Sequence, residues 1–335
     1  MINIAWHIVI MEDWLYQQLL QKIKLWGASF TQKKVERLVQ KSYKVFYHYK
    51  KIFILKNIRC IILIYNSPTS IEVKRDEYLK VFGSIEDAKE KFYNIGAGSW
   101  EHPCWSNIDL PAQTPEFAAI QAPCIHHDLV KNEKLPLSSD SVEAFYSSHV
   151  VEHIPDFANR NLFKEVYRCL KSGGAFRIST GPCADMDWQA ILREDENWWY
   201  FYDKDFQKLL VQQSEPMSVY DKWLLHLATP NSVFSSSKSK NKYSSDEIKK
   251  LIKQNKDSRD KLLNHLTKDI IFDINEPGNH VCWWNYNKLK QYLSDAGFSL
   301  IYRSGYGQSR VSWMRDLRYF DQTYPQISVY VEAIK

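Results

Sequence analysis

The 335-residue chain contains 44% hydrophobic and 25% charged residues, the balance of an ordinary globular protein with a sizeable core. Its six cysteines lie far apart and form no C-x-x-C pair, which argues against a structural zinc site and a disulfide framework. The apolar run 52–65 is too short to span a bilayer, and residues 1–11 lack the basic start of a signal peptide. We therefore expect a cytoplasmic protein with reduced cysteines.

The N-terminal part of the chain, residues 1–84, is basic and rich in aromatic residues. Residues 1–60 carry eleven Lys and Arg against three acids, a net charge of +8, whereas the rest of the chain carries −3. This segment is compatible with peripheral contact at the inner, anionic face of a membrane, or with the solvated face of ordinary helices. Nucleic-acid binding is a weaker interpretation. Apolar spacing predicts helices within 12–50 and one or two strands within 52–65. The segment matches no known sequence pattern.

From residue 85 onward, short apolar runs alternate with helical stretches. The predicted strands of this region are Phe92–Ile95, Ser106–Leu110, Ile125–Leu129, Val142–Ser147 and Ala175–Ser179. A helix is predicted over Phe157–Leu170, with Gly173 and Gly174 where a helix stop is expected. Strands joined by helical crossovers indicate an α/β fold, a Rossmann-like, doubly wound and mostly parallel sheet.

The alternation stops at residue 181 and resumes near residue 284. We assign 85–180 to the core, 181–283 to an insertion or cap on the acceptor side, and 284–335 to a C-terminal part that completes the sheet. Within the insertion, the Lys/Ser-rich stretch 235–261 is expected to be exposed and mobile. In the C-terminal part, a helix is predicted over Tyr286–Ala296, with its stop at Gly297. Two strands are predicted to follow it, Ser299–Arg303 and Ile327–Ile334.

Three strand ends carry residues suited to a nucleoside ligand. Asn94, Gly96 and Gly98 follow the first strand, where glycines allow a tight turn and close approach of a ligand. Asp109 ends the second strand, where a carboxylate can accept hydrogen bonds from both ribose hydroxyls. Asp128 ends the third strand, beside the position of an adenine. Each acid alone is more often a turn residue than a ligand, but the three in order favour a nucleoside site.

In order and spacing, residues 92–180 resemble class I S-adenosylmethionine-dependent methyltransferases. The glycine turn is similar to their glycine-rich motif, Asp109 to the acid on the cofactor ribose, and Asp128-Leu129 to the adenine-contacting pair. Residues 147–154, with Ser148 and His149, resemble the end of the family's fourth strand. Residues 163–174 are similar to the helix and turn that precede its fifth strand. The resemblance implies S-adenosyl-L-methionine as cofactor, held by Asn94, Gly96, Gly98, Asp109, Asp128, Leu129, Ser148 and His149.

The sequence also departs from the family's pattern. Asn94 stands near a position where an acid is usual, and a full dinucleotide fingerprint is absent because Glu101 replaces its third glycine. Seven residues separate Gly98 from the second strand, fewer than the ~10–12 of a helical crossover, so a short turn is expected there. Such a turn, with the runs 283–286 and 303–309, resembles the subgroup associated with surface-polysaccharide synthesis.

A competing motif lies at residues 149–153, which fit the zinc-protease pattern H-x-x-E-H. That pattern requires both histidines on one helical face, and Pro155 strains a continuing helix. Local packing of His149 and His153 is the principal alternative. A place beside the substrate, as a base or metal ligand, is another, although the sequence analysis assigns no metal ligand.

The resemblance predicts O-methylation of a hydroxyl on a saccharide in a surface polysaccharide or its precursor. Such transfer benefits from a base near the attacking oxygen, and His153 and His280 are the candidates. A sugar-stacking platform is expected from the aromatics of the insertion: Trp188, Trp198, Trp199, Tyr200, Trp283 and Trp284. The open alternatives are a lipid or small-metabolite acceptor and a scaffold without catalysis.

Overall fold

The computed structural model describes residues 75–199 and 217–335. Contacts divide the chain into Met1–Asn66 and Ser67–Lys335, and the described residues belong to the second unit. The helices and strands predicted within 12–65, and the membrane contact predicted for residues 1–60, lie outside the described residues. In the described part of the chain, no helix is long and apolar enough to cross a membrane.

A seven-stranded sheet forms the centre of the described unit. Its strands are β1 Phe92–Ile95, β2 Ser106–Asp109, β3 Ile125–His126, β4 Val142–Ser148, β5 Leu170–Thr180, β6 Leu300–Arg303 and β7 Val329–Ile334. Their order is β3-β2-β1-β4-β5-β7-β6. The first five are parallel, and β7 pairs antiparallel with both β5 and β6. The predicted Rossmann-like, mostly parallel sheet is confirmed.

Nine α-helices of the described residues flank the sheet or form the insertion. They are α1 Arg75–Phe82, α2 Ile85–Lys89, α3 Pro115–Ala118, α4 Asp156–Cys169, α5 Ala184–Leu192, α6 Val219–Leu227, α7 Ser245–Gln254, α8 Arg259–Thr267 and α9 Tyr286–Ala296. No helix separates Gly98 from β2, which confirms the predicted short turn.

Of the two helices predicted to stop at a glycine, only one does so. Gly297 caps α9 in the left-handed region, with φ +115°, as the sequence predicts. By contrast, α4 ends at Cys169 and β5 begins at the next residue, so the stop predicted at Gly173 is wrong. Gly173 instead lies within β5 with φ +81°. The chain therefore turns from helix to strand before the glycines.

A buried charge network joins β5 to the C-terminal segment 304–328. The guanidinium of Arg177 donates to both carboxylate oxygens of Asp321, to Ser304 Oγ at 3.0 Å and to the carbonyl of Gly305 at 2.8 Å. Glu332 lies 3.4 Å away on β7, and the side chains of Arg177, Asp321 and Glu332 are all fully buried. The segment is thus fixed to the centre of the sheet.

The insertion forms a second apolar core around α5–α8 and a buried tryptophan cluster. The expectation that 235–261 is an exposed, mobile stretch is wrong, because this stretch contains α7 and buries Ile248 and Ile252. The backbone N–H of Ser244 donates to Glu247 at the start of that helix, as in a capping box. An apolar stripe beneath a Lys-rich surface therefore makes this segment an ordinary amphipathic helix.

Candidate active site

A cleft of about 740 Å³ opens at the carboxyl ends of β1, β2 and β4. In a doubly wound sheet this edge is where ligands bind, because the strand order reverses between β1 and β4. All eight predicted cofactor residues line the cleft: Asn94, Gly96, Gly98, Asp109, Asp128, Leu129, Ser148 and His149. The structure therefore brings all eight to one site.

The glycine turn packs so tightly that residue 96 has no space for a side chain. Gly96 has φ +78°, and a Cβ there would lie 2.1 Å from Cγ2 of Val150. Gly98 also has a positive φ, +49°, but a Cβ there would meet nothing within 4 Å. The turn therefore leaves backbone, rather than side chains, facing the cleft.

These two glycines yield a paired prediction. Gly96→Ala should destabilise the fold by about 1–3 kcal/mol through overpacking, beyond the cost of its left-handed backbone. Gly98→Ala should lose only the stability that alanine loses in a left-handed backbone conformation. Adding Val150→Ala to Gly96→Ala should restore part of the lost stability, because it removes the methyl group that the new Cβ would overlap. Urea unfolding of the four proteins measures this. Equal losses in both glycine variants, with no rescue, would contradict the packing explanation.

Asp109 both supports the turn and faces the cleft. Its Oδ2 accepts hydrogen bonds from the backbone N–H of Ala97 at 2.8 Å and of Gly98 at 3.1 Å. Its Oδ1 accepts from the N–H of Leu110 at 2.7 Å. A carboxylate offers about four acceptor sites, so Oδ1 keeps one for a ribose hydroxyl. The contacts to the glycine turn were not predicted from the sequence.

Asn94, one of the predicted cofactor residues, uses its side-chain donors within the protein. Its side-chain N–H groups donate to the carbonyl of Gly96 at 3.2 Å and to Oδ1 of Asn107 at 3.1 Å. Both donors of the buried amide are thus used within the protein. Asn94 shapes the turn, and only its carbonyl oxygen remains for a ligand.

Asp128 and Leu129 follow β3 and line the cleft. Oδ1 of Asp128 accepts from the N–H of Val130 at 2.9 Å and so starts a 3₁₀ turn, Leu129–Lys131. Oδ2 has no hydrogen-bond partner among the described residues. An adenine amino group therefore has an acceptor beside the apolar side chain of Leu129.

His149 marks a strained corner after β4. Its φ is +53°, unusual for a residue other than glycine, and its ring leaves no room for a Cβ at Gly181. Nε2 lies 2.8 Å from Ser328 Oγ, and Nδ1 lies 3.1 Å from Oε1 of Glu152. Residues 149–153 are not helical, so the geometry required of an H-x-x-E-H protease is absent here.

His153 and His280 come together although 126 residues separate them. Their ring centroids are 4.8 Å apart. His153 lines the cleft, and its Nδ1 lies 3.2 Å from the carbonyl of Asn279. His280 lies behind it and does not line the cleft; burial, reinforced by the charges of His153 and His226, lowers its pKa well below the usual value. Of the two predicted bases, only His153 is placed to touch a substrate.

Glu152 is the functional candidate that the sequence analysis missed. Its carboxylate is fully buried and accepts from Thr180 Oγ1 at 2.8 Å and from the N–H of Gly181 at 3.3 Å. Burial alone would raise its pKa, but the hydrogen bond from His149 and the neighbouring histidine charges lower it to about 2. Glu152 is the glutamate of the H-x-x-E-H run, and the sequence pattern pointed to it only as part of a protease motif.

The predicted aromatic platform is wrong. Trp188, Trp199, Trp283 and Trp284 are at most 4% exposed and belong to the hydrophobic cores. Trp198 donates its indole N–H to Asp187 and does not line the cleft. Tyr200 lies outside the described residues. The cleft is lined instead by residues of the loop 272–278 and of the C-terminal segment, among them Arg318, Tyr319, Gln322 and Thr323.

Comparison with known proteins agrees with this geometry. Residues 109–178, from the end of β2 into β5, match the family model described as a methyltransferase domain. No curated protein is significantly similar to the chain.

Several solved structures are distantly similar. One is a Thermotoga maritima protein described as a methyltransferase and possible histamine N-methyltransferase, with 12% identity, 77% of this chain and 89% of that chain covered, and a TM-score of 0.32. A Mesorhizobium loti methyltransferase has 15% identity, coverage of 73% and 90%, and a TM-score of 0.33. A methyltransferase from Methanosarcina mazei has 11% identity and a TM-score of 0.36, and the match covers 74% of this chain and 93% of that chain. At such low sequence identities and TM-scores, these similarities do not identify the acceptor.

Proposed function

We propose that this chain, an S-adenosylmethionine-dependent methyltransferase with the domain match and sheet order described above, methylates a hydroxyl of a sugar in a surface polysaccharide or its precursor. S-adenosyl-L-methionine is the cofactor of the methyltransferase domain. Its fit rests on two features: the turn at Gly96, which excludes a Cβ, and the free acceptor site of Asp109.

The single observation that supports hydroxyl transfer is the placement of His153 on the cleft wall. Because Nδ1 faces the carbonyl of Asn279, the neutral ring carries its proton there and keeps a lone pair on Nε2. A hydroxyl that attacks the sulfonium methyl forms a carbon–oxygen bond as the carbon–sulfur bond breaks. Its proton passes to Nε2. A hydroxyl becomes a strong nucleophile only as it loses its proton, so an imidazole beside the cleft suits an oxygen acceptor.

A polyhydroxylated acceptor fits the polar residues on the cleft wall. Gln113, Gln322 and Thr323 line the cleft and offer side-chain donors and acceptors for hydroxyl groups. The short turn between Gly98 and β2 also matches the glycan-modifying subgroup that the sequence resembles. With the tryptophans of the predicted platform away from the cleft, hydrogen bonding to these polar side chains is the proposed mode of sugar recognition.

Calorimetric titration with S-adenosylhomocysteine tests the cofactor site. The wild type should bind, and Asp109→Ala should weaken binding by about 1–3 kcal/mol, because the variant removes a ribose acceptor and two hydrogen bonds to the glycine turn. Asp295→Ala, an exposed acid of α9, is the control and should bind like the wild type. Equal affinity of Asp109→Ala and wild type would remove Asp109 from the site.

Acceptor screening then tests the substrate class. The protein is incubated with the cofactor and with free sugars, lipid-linked sugars, simple lipids and small hydroxylated metabolites, and methylated products are detected by mass spectrometry. Transfer to glycosyl acceptors supports the proposal, whereas transfer confined to a lipid or metabolite overturns its substrate. A biological effect that survives His153→Ala and His280→Ala without any transfer would indicate a scaffold.

A further inference from the structure

We propose that Glu152, His153 and His280 form a binding site for one divalent first-row transition-metal ion at the acceptor end of the cleft. One potential ligand atom from each of these residues lies within 4.8 Å of those of the other two. Two imidazoles and one carboxylate are a common donor set for Zn²⁺, Fe²⁺, Co²⁺ or Mn²⁺. At bond lengths of about 2.1 Å, ligand atoms on one ion lie at most about 4.2 Å apart, so a shift of under ~1 Å closes the site.

The histidines are held in the form that binds a metal. Nδ1 of His153 faces the carbonyl of Asn279, and Nδ1 of His280 faces the carbonyl of His226. A ring nitrogen beside a carbonyl oxygen must donate its proton, so each neutral ring keeps its lone pair on Nε2. This contact to a backbone carbonyl is the usual outer-shell support of a metal-binding histidine.

The carboxylate is supported in the same way. Glu152 accepts hydrogen bonds from Thr180, Gly181 and His149, which fix the orientation of a fully buried group. A buried carboxylate oriented in this way can supply negative charge to a cation. No lysine or arginine pairs with Glu152 among the described residues.

Backbone hydrogen bonds place His280 beside β4. The N–H groups of Val281 and Cys282 both donate to the carbonyl of Glu152, at 2.9 and 3.2 Å. The N–H of His280 donates to Thr229 Oγ1, and its carbonyl accepts from the N–H of Thr229. The site is thus assembled from the core and the returning end of the insertion, and both parts are rigidly joined.

The ion's role in catalysis rests on the proposed function. Since His153 lines the cleft, an ion on its Nε2 has open positions toward the acceptor. There it would bind the acceptor hydroxyl and lower its pKa, so that the proton is lost to solvent water before the oxygen attacks the methyl group. In the metal-loaded protein the ion thereby replaces the imidazole as the group that activates the hydroxyl.

Cobalt titration tests the site without relying on activity. The full chain is stripped with chelator and titrated with Co²⁺, followed by visible absorption and by the rise in melting temperature. The wild type should bind one ion per chain. His153→Ala, His280→Ala and the isosteric Glu152→Gln should each weaken binding at least about tenfold. His265→Ala, an exposed histidine of α8, is the matched control and should bind like the wild type.

Each outcome decides the proposal. Wild-type binding that is lost in both histidine variants, with their folds intact by circular dichroism, supports the site. Absence of Co²⁺ binding, or equal binding in wild type and both histidine variants, overturns it. S-adenosylhomocysteine is titrated into the same samples, so failure of the cofactor site and failure of the metal site are seen separately.

Discussion

Arg177→Met should destabilise the protein by about 3–5 kcal/mol, the cost of removing one partner from a buried ion pair. Methionine fills most of the arginine volume, so the loss is electrostatic: Asp321 is left as a buried carboxylate without its cation. Glu332 loses the same partner but keeps hydrogen bonds from Ser309 and from the N–H of Arg310. Chemical denaturation at neutral pH measures the change.

Two further variants separate charge from packing. Lys171→Met removes a half-exposed ion pair with Glu143 and should cost under about 1 kcal/mol. Asp321→Asn in the Arg177→Met background removes the unpaired charge and should recover part of the stability. A loss in Arg177→Met no larger than that in Lys171→Met would contradict the role assigned to the network.

The same network has a consequence for the cleft. Asp321 lies between the cleft-lining residues Tyr319 and Gln322, and its N–H donates to the hydroxyl of Tyr146 on β4. The charge buried at Arg177 therefore fixes one wall of the site to the sheet. We expect Arg177→Met to weaken S-adenosylhomocysteine binding as well as stability, whereas Lys171→Met should change neither appreciably.

The core of the fold was predictable because its strands are short apolar runs with polar ends. Phe92–Ile95 was predicted with its observed bounds, and the end of α9 follows from the conformational freedom of Gly297. The insertion was harder because its helices are short and its surface is rich in Lys and Ser. Even so, Ile248 and Ile252 have helical spacing behind a capping box, a signal that composition alone obscured.

The candidate site was predictable only where neighbours in sequence are neighbours in space. The glycine turn, Asp109 and Asp128 follow successive strands of a parallel sheet, so their meeting follows from the fold. The contact between His153 and His280 depends on how a hundred-residue insertion returns to the sheet, which no local pattern encodes. The tryptophans misled because a large aromatic suits a buried core as well as a ligand platform.

His153→Ala should lower kcat by about 10²–10⁴-fold while leaving the affinity for S-adenosylhomocysteine within about twofold of wild type. The imidazole lines the cleft and makes no hydrogen bond to the glycine turn, Asp109 or Asp128. Whether the imidazole takes the proton of the proposed hydroxyl acceptor, or holds an ion that lowers the pKa of that hydroxyl so that its proton is lost to water, removal of the imidazole affects the transfer step and not cofactor binding. Single-turnover kinetics with a methylated-product readout measure this.

Two comparisons keep this prediction specific to His153. His265→Ala removes an exposed histidine and should retain wild-type kcat. His280→Ala discriminates between the two modes of activation: a metal-held hydroxyl predicts a loss close to that of His153→Ala, whereas a base acting alone predicts a smaller one, because His280 does not line the cleft. Full activity in His153→Ala would remove this residue from the reaction and leave the cleft with cofactor binding as its assigned role.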